Sequence, residues 1–293
     1  MARPRRMLRL PVLAAAASLS VMALTGAMPA AASPVHRPPS GITPGGPAGP
    51  AALGEHLIRR AHAEGAANSV TDYTSINWAG YFATAASHGK DFTAVSAEWV
   101  QSAVTCTKTN AWASFWVGLD GWWNGSVEQG GSEAHCLHGT PSYNVWWEMF
   151  PHNEIQTSFA ISPGDTIQAS VTYVTSSKDF DIVVQDVSTG QTLTKDTPCL
   201  SGQDGCMRSS AEVISEDVGG GSAPDGLYYL PDYRTQMFAT ASVTDIHGHT
   251  GTLSNSDWQL GDITEVSSKG ITKQTTSALD PTGSNFTTTW DHQ

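Results

Sequence analysis

The chain has 293 residues, with 15 Lys and Arg against 27 Asp and Glu and a formal net charge of −12 at pH 7. Seven of the basic residues but only two of the acids precede residue 70, so the remainder holds 8 basic and 25 acidic groups, a charge of −17. This charge argues against nucleic acid or an anionic membrane surface as a partner. It suits a protein that works at low pH, where protonated carboxyl groups repel less, although solubility alone would also explain it.

The first 32 residues have the pattern of a secretory signal peptide. Four arginines precede residue 10, residues 11–28 are uncharged and mostly Ala, Leu and Val, and Ala30–Ala32 supplies a small-residue cleavage site. A membrane anchor is the alternative, but polar residues and a glycine interrupt the apolar run and no stop-transfer flank follows. No later segment is apolar enough to span a bilayer, so we expect a secreted, extracellular product without a membrane partner.

Residues 33–70 are rich in Pro, Gly and Ala and cannot bury enough apolar surface to order themselves. This stretch is either a flexible linker or a pro-segment that is cleaved between Asn68 and Tyr73. The pro-segment is favoured because Arg59 and Arg60 could dock on the acidic remainder of the chain. Residues 71–293 then form the mature part, which is long enough for one sizeable domain.

Short alternating runs separated by turn residues recur after residue 70, and helical periodicity is almost absent. This pattern predicts an all-β sandwich or barrel. The cleanest runs are Thr166–Thr175 and Asp179–Val187, in which apolar residues occupy every second position. No repeat of fixed period and no second domain is evident.

Two further runs have strand faces of an unusual kind. In Ser114–Gly121 the alternation places Trp116 and Asp120 opposite an apolar face, and in Tyr143–Pro151 it places Glu148 between aromatic residues. Such faces suggest the wall of a cleft. A half-buried strand with one paired Glu would have the same pattern.

Four cysteines in a secreted chain predict two disulfides, for which three pairings are possible. Local pairing is favoured, with Cys199 bonded to Cys206 and Cys106 bonded to Cys136. The second bond would then join the two ends of a strand–turn–strand segment.

Several common catalytic motifs are absent from the sequence. There is no HExxH, no GxSxG and no Asp-Thr-Gly or Asp-Ser-Gly. Glu133, His135, Cys136 and His138 lie close enough together to suggest a metal site. However, Cys136 is expected in a disulfide, and the two histidines alternate poorly onto one strand face. We therefore expect neither a metal nor another cofactor.

Six short blocks follow one another in a fixed order along the chain. They are Asn77–Gly80, Trp116–Gly121, Val127–Gly130, Tyr143–Pro151, Pro163–Asp165 and Ala211–Asp217. Together they resemble successive blocks of the glutamic peptidase (eqolisin) family, and no block can be placed after Asp217. Asn144 stands where fungal members often have an acid, and the cysteine placement looks closer to that of bacterial members.

The resemblance implies an antiparallel two-sheet β-sandwich of the concanavalin A-like lectin and glucanase type, with a substrate groove on one concave sheet. It also implies a glutamic endopeptidase that cleaves proteins and peptides at acidic pH and resists pepstatin. We expect the enzyme to be made as a zymogen and to act as a monomer.

Carried over by position, Gln129 matches the catalytic Gln of the family and Glu216 the catalytic Glu, while Glu212 matches a non-catalytic acid. The chemistry fits these residue types, because one carboxyl group can accept a proton from water and deliver it to the leaving nitrogen. A Gln amide stays neutral and can donate to the oxyanion. The expected groove residues are Trp78, Trp116, Asp120, Trp146 and Glu148.

The main alternative is a secreted carbohydrate-binding or glycan-hydrolysing protein. Ten Trp residues and a concave sheet suit sugar stacking, and Glu148 with Glu216 could form an acid/base pair. A glycosidase would not require Gln129 in its block. A non-enzymatic surface lectin is the third possibility, and for such a protein Glu216→Gln would leave function intact.

Overall fold

A computed structural model describes residues 70–293, with the exception of residues 90 and 153 and of the side chains of residues 156–158. The predicted signal peptide, and all of the predicted pro-segment except its last residue, lie outside the described residues. The described ranges form sixteen strands and no helix, so the all-β prediction is confirmed. In this part of the chain no helix is long and apolar enough to cross a membrane.

The strands follow the predicted alternation closely, and Thr166–Val174 and Asp179–Asp186 reproduce the two cleanest runs. The strands are β1 (Thr71–Ser75), β2 (Trp78–Thr84), β3 (Phe92–Val100), β4 (Asn110–Leu119), β5 (Val127–Leu137), β6 (Thr140–Phe150), β7 (Ile155–Ala160), β8 (Thr166–Val174), β9 (Asp179–Asp186), β10 (Gln191–Pro198), β11 (Ser210–Asp217), β12 (Thr235–Asp245), β13 (Thr250–Thr252), β14 (Gln259–Val266), β15 (Thr272–Thr276) and β16 (Phe286–Trp290).

The strands belong to one continuous sheet that curls into a nearly closed, barrel-like shape. Its order is β10-β9-β8-β3-β12-β16-β15-β14-β2-β11-β4-β5-β6-β7, with β1 added to β14 and β13 to β12. Every pairing is antiparallel except that of β1 with β14. Strands from the two parts of this path pack face to face, with β3, β8 and β9 against β4, β5 and β11.

The main core lies between these two facing parts of the sheet. Phe115 and Val117 of β4 are fully buried there, together with Ile182 and Val184 of β9. Each such side chain contributes roughly 1.5–3 kcal/mol by leaving water. The backbone approaches closely at Gly130, because a Cβ at that position would lie only 2.7 Å from Ile182 Cγ2.

A second apolar cluster lies on the opposite face of β2, β11, β4, β5 and β6. Its buried members are Trp78, Phe82, Trp116, Trp122, Val127, Trp146, Ile214 and Ile263. Since neighbouring residues of a strand point to opposite faces, the alternation that buries Phe115 in the main core directs Trp116 into this second cluster. The candidate site occupies this face.

Two disulfides hold the loops next to these strands. Cys106 is bonded to Cys136 with a Cα–Cα distance of 5.6 Å, and Cys199 is bonded to Cys206 at 5.9 Å. This is the local pairing that the sequence favours. The first bond joins the segment before β4 to the end of β5, and each bond stabilises the fold by roughly 2–4 kcal/mol.

Candidate active site

The register of the sheet places Gln129 and Glu216 on the same face. Gln129 of β5 is paired with Glu148 of β6, and Glu216 of β11 is paired with Trp78 of β2 and with Ser114 of β4. Residues paired directly across strands point to the same side of the sheet. The row of paired residues that contains Glu216 crosses β4 at Ser114, and the row that contains Gln129 crosses β4 at Gly118 and continues to Glu212. Ser114 and Gly118 are an even number of positions apart on β4, so both rows point to the same side of the sheet.

Glu216 is fully buried and both of its oxygens accept hydrogen bonds. Asn77 Nδ2 donates to Oε1 at 2.9 Å and Trp116 Nε1 donates to Oε2 at 2.7 Å. Burial is the largest influence and raises the pKa of Glu216 to about 8, the charge of Glu265 adds to this rise, and N–H groups of Trp78, Trp116 and Asn77 oppose it. Trp78 Nε1 makes no hydrogen bond within the described part, so Asn77 and Trp116 are the donors that bind Glu216 there.

Gln129 and Glu148 form a second polar group on this face. Gln129 Nε2 donates to Glu148 Oε2 at 2.7 Å, and both residues are fully buried. Burial, followed by the charge of Glu216, raises the pKa of Glu148 well above its usual value, while the Gln129 amide lowers it. The carboxyl groups of Glu148 and Glu216 therefore interact electrostatically across this face.

Aromatic side chains surround this polar group. Trp78 and Trp116 pack edge to face with ring centroids 5.1 Å apart, and both are fully buried, as is Trp146. The indole nitrogens of Trp78 and Trp146 have no hydrogen-bond partner among the described residues. The structure therefore brings six of the expected site residues to one face: Trp78, Trp116, Gln129, Trp146, Glu148 and Glu216.

Asp120, which alternation predicts on this face, lies just beyond the end of β4 and binds a loop. Strand β4 ends at Leu119, and Asp120 has a positive φ of 69°. Its carboxylate accepts hydrogen bonds from the backbone N–H groups of Arg208 and Ser209 at 2.5 and 2.7 Å, and from Asn124 Nδ2 at 2.7 Å. Asp120 thus anchors the loop before β11.

Two residues next to Glu216 and Ser114 have contacts that the sequence analysis did not foresee. Asn77 lies in a recognised block, but its bond to Glu216 depends on the pairing of β2 with β11. Glu133 was considered only as a metal ligand, yet it accepts from Trp112 Nε1 and Asn144 Nδ2, each at 2.7 Å. Burial raises the pKa of Glu133 to about 7, and hydrogen bonds lower it. The sequence does contain a signal for this placement, because Glu133 is an even number of positions from Gln129 on β5 and therefore points to the same face.

The segment whose composition suggests a metal site makes other contacts. Cys136 is in a disulfide, and His135 stacks on Trp112. Among the residues that the structure describes, no group of three His, Cys, Asp or Glu side chains is arranged to hold a metal ion.

Comparison with known proteins identifies the family. The model of the Peptidase A4 family matches residues 76–290, which is most of the chain. The chain belongs to this family. Peptidase A4 is the glutamic peptidase (eqolisin) family that the six blocks resemble, and the match includes Asn77, Trp116, Gln129, Glu148 and Glu216.

Two curated relatives are similar over about half of their length. Aspergillopepsin-2 of Aspergillus niger is 32% identical over 134 residues, which cover 45% of this chain and 46% of the relative. Scytalidopepsin B of Scytalidium lignicola is 32% identical over 145 residues, which cover 48% and 51%. The match thus spans about half the length of the curated relatives.

Solved structures of Peptidase A4 relatives have the same fold. A scytalido-glutamic peptidase with a transition state analog inhibitor superposes with a TM-score of 0.60 and 24% identity, over 73% of this chain and 98% of that one. The aspergilloglutamic peptidase from Aspergillus niger superposes with a TM-score of 0.50 and 26% identity, over 62% and 99%.

Proposed function

We propose that this chain is a secreted acid endopeptidase, insensitive to pepstatin, in which Glu216 is the general base and acid and Gln129 is the oxyanion donor. The observation that carries the proposal is the shared face of the sheet, where Glu216 and the Gln129–Glu148 pair lie among buried aromatic residues. Membership of the Peptidase A4 family supports the same reaction class.

The proton balance of the reaction assigns two steps to Glu216. As water attacks the scissile carbonyl carbon, a C–O bond forms and the water proton passes to Glu216. When the tetrahedral intermediate collapses, the C–N bond breaks and Glu216 returns the proton to the leaving nitrogen, which yields a carboxylic acid and an amine. One carboxyl group therefore serves both steps without another reactant.

Glu216 must be ionised before it can act as a base. In the buried state its pKa of about 8 keeps it protonated at acidic pH. The donors Asn77 and Trp116 favour the carboxylate. Because burial is the largest cause of the raised pKa, we propose that the reactive state has a hydrated groove in which this contribution is smaller.

Gln129 is oriented for donation by its neighbour. The Nε2 group has two hydrogens, and one is used in the bond to Glu148 Oε2. The bond fixes the amide so that the second hydrogen can reach the oxyanion of the intermediate. A Gln amide remains neutral at every working pH, so it does not compete with Glu216 for the proton.

The proposal also covers the type of fold, the location, the substrates, the pro-segment and the oligomeric state. Face-to-face packing of β3, β8 and β9 on β4, β5 and β11 supports a two-sheet sandwich of the concanavalin A-like type with a concave binding sheet. The two disulfides support an extracellular location, which the predicted signal peptide would provide. Protein or peptide substrates, a pro-segment and a monomeric state complete the proposal.

The test is digestion of casein by the full chain at about pH 3–4, where an unperturbed Glu is near its reference ionisation. We expect digestion that pepstatin does not inhibit. Glu216→Gln should abolish it, and Gln129→Ala should lower kcat by about 10²–10³ while the fold remains intact. Glu98→Gln, on β3 far from this face in the sheet order, is the matched control and should retain activity.

The outcomes separate the proposed function from its alternatives. No digestion, or digestion that pepstatin blocks, would contradict the peptidase proposal. A glycan-hydrolysing protein would release sugar from a β-glucan, would need both Glu148 and Glu216, and would tolerate Gln129→Ala. A lectin would bind glycan equally well after Glu216→Gln.

A further inference from the structure

A separate side-chain cluster lies at the end of the same sheet face, beyond Glu133. Trp112 of β4 is paired with His135 of β5, and their rings stack with centroids 4.3 Å apart and an interplanar angle of 18°. Tyr228, from the loop after β11, packs edge to face against His135 at 6.4 Å and lies 5.1 Å from Trp112. We refer to Trp112, His135 and Tyr228 as the His135 subsite.

The imidazole of His135 has an unpaired polar atom. The residue is 8% exposed, and its Nε2 atom is buried with no hydrogen-bond partner among the described residues. A buried polar atom without a partner costs about 1–3 kcal/mol. A histidine with a purely structural role would recover this energy through a neighbouring donor or acceptor. Stacking on Trp112 uses only the face of the ring, which leaves this in-plane nitrogen available to a ligand.

The subsite lies close enough to Glu216 to contact a bound substrate. Trp112 is two positions along β4 from Ser114, which is paired with Glu216, and Trp112 Nε1 also donates to Glu133. Side chains on one side of an extended peptide are about 6.6–6.8 Å apart, the same spacing as between alternate residues of a strand. A peptide extended over this face, with its scissile bond at Glu216, would present a side chain to the subsite within one or two residues.

We infer that the His135 subsite selects a substrate residue with a carboxyl or carboxamide side chain, that is, the Glu and Gln class. This inference rests on the proposed function. These groups contain both a donor and an acceptor at acidic pH, so they pair with imidazole in either protonation state. Their methylene stems can pack on Trp112 and Tyr228. A neutral carboxyl group also avoids placing an anion beside Glu133.

The environment of His135 is consistent with such a ligand. Burial lowers the pKa of His135 to about 4, so the neutral ring predominates above that pH and its unpaired nitrogen can accept a hydrogen bond. Because the ordinary pKa of Glu is about 4.3, more than half of the substrate Glu side chains are protonated near pH 4 and can supply that hydrogen.

The test compares cleavage of a peptide mixture by the full chain at about pH 4, near the ordinary ionisation of Glu. We expect Glu and Gln to be enriched at one position close to the cleaved bond. Two peptides are then compared that differ only at this position, where one has Gln and the other Leu. His135→Phe should reduce the ratio of kcat/KM for the Gln peptide to kcat/KM for the Leu peptide by about three- to tenfold, which corresponds to the loss of one hydrogen bond. The kcat/KM for the Leu peptide should change little, because Phe retains the stack on Trp112.

His138→Asn is the matched control, since His138 is exposed in the turn after β5 and Asn tolerates its positive φ of 51°. It should leave the preference unchanged. If His135→Phe does not fold, Tyr228→Leu removes a wall of the subsite and should weaken the same preference. Cleavage without Glu or Gln enrichment, or enrichment that survives both variants, overturns the inference and leaves the proposed function standing. Absence of all cleavage by the wild type overturns both.

Discussion

Glu216 illustrates how opposing local forces determine the state of one carboxyl group. Burial disfavours the charged form, and the N–H groups of Asn77 and Trp116 stabilise it. The balance leaves the pKa of Glu216 at about 8 in the buried state. In the proposed hydrated state, the hydrogen bonds from Asn77 and Trp116 are needed to bring this pKa towards the acidic range. Trp116 is the donor whose removal can be matched with a control.

Trp116→Phe removes the indole N–H that donates to Glu216 Oε2, and the pKa of Glu216 should rise. A hydrogen bond to a charged group contributes roughly 1.5–3 kcal/mol, which corresponds to about one to two pH units. The acidic limb of the pH profile of kcat/KM reports the free-enzyme base and should move upward by that amount. Trp146→Phe removes a similar volume from the same face, but its indole nitrogen has no hydrogen-bond partner in the described part. An unchanged limb in Trp116→Phe, or equal shifts in both variants, would contradict this assignment.

At the scale of the element, β5 depends on two adjacent glycines for its fit into the sheet. Gly130 faces the main core, and Gly131 lies between Trp116 and Trp146 on the face that carries Glu216. A Cβ at Gly131 would lie 2.7 Å from Trp116 Cα and would also contact the backbone of Phe115. Backbone atoms cannot move aside as a flexible side chain can.

Gly131→Ala should therefore separate β5 from β4 and displace Trp116 from Glu216. Overpacking of this kind costs about 1–3 kcal/mol, which a urea titration would detect as a lower unfolding midpoint. Proteolytic activity should fall by more than the loss of folded protein explains, because the hydrogen bond from Trp116 to Glu216 is disturbed. Gly89→Ala is the comparison, since the atom nearest to its Cβ would be 3.5 Å away, and its stability should change by less than about 0.5 kcal/mol. Equal midpoints for the two variants would show that the contact at Gly131 is tolerated.

The strands were predictable from alternation, but their neighbours were not. The pattern around Trp116 separates the face that carries Glu216 from the core face, because a period of two assigns each side chain to one side of the sheet. It gives no information about register. The bonds from Asn77 to Glu216 and from Asn144 to Glu133 depend on pairings between distant strands. The bonds from Asp120 to the loop before β11 were not predictable either, because they depend on the end of β4 at Leu119 and on the positive φ of Asp120.

At the scale of the whole molecule, the feature that dominates is the number of buried acids. Burial is the largest cause of a raised pKa at nine carboxyl groups among the described residues: Asp120, Glu128, Glu133, Glu148, Glu212, Glu216, Asp217, Asp262 and Glu265. The folded state therefore binds more protons than the unfolded state between the ordinary pKa of an acid and these raised values. His135 acts in the opposite direction, because its pKa is lowered to about 4.

The free energy of unfolding should accordingly be highest in acid and fall between about pH 4.5 and pH 8. A raised carboxyl pKa stabilises the fold fully below the unfolded pKa, and this contribution is lost as the pH rises through the folded pKa. The expected slope is about 1.4 kcal/mol per pH unit for each additional proton bound by the folded state, measured by urea unfolding at a series of pH values.

Asp262→Asn removes a group whose pKa is raised to about 7 and should flatten this slope. Asp280→Asn is the control, since hydrogen bonds lower the pKa of Asp280 and it titrates below this range, so the slope should not change. A stability that is constant or increases from pH 4.5 to pH 8 would mean that these acids are ionised in the folded protein.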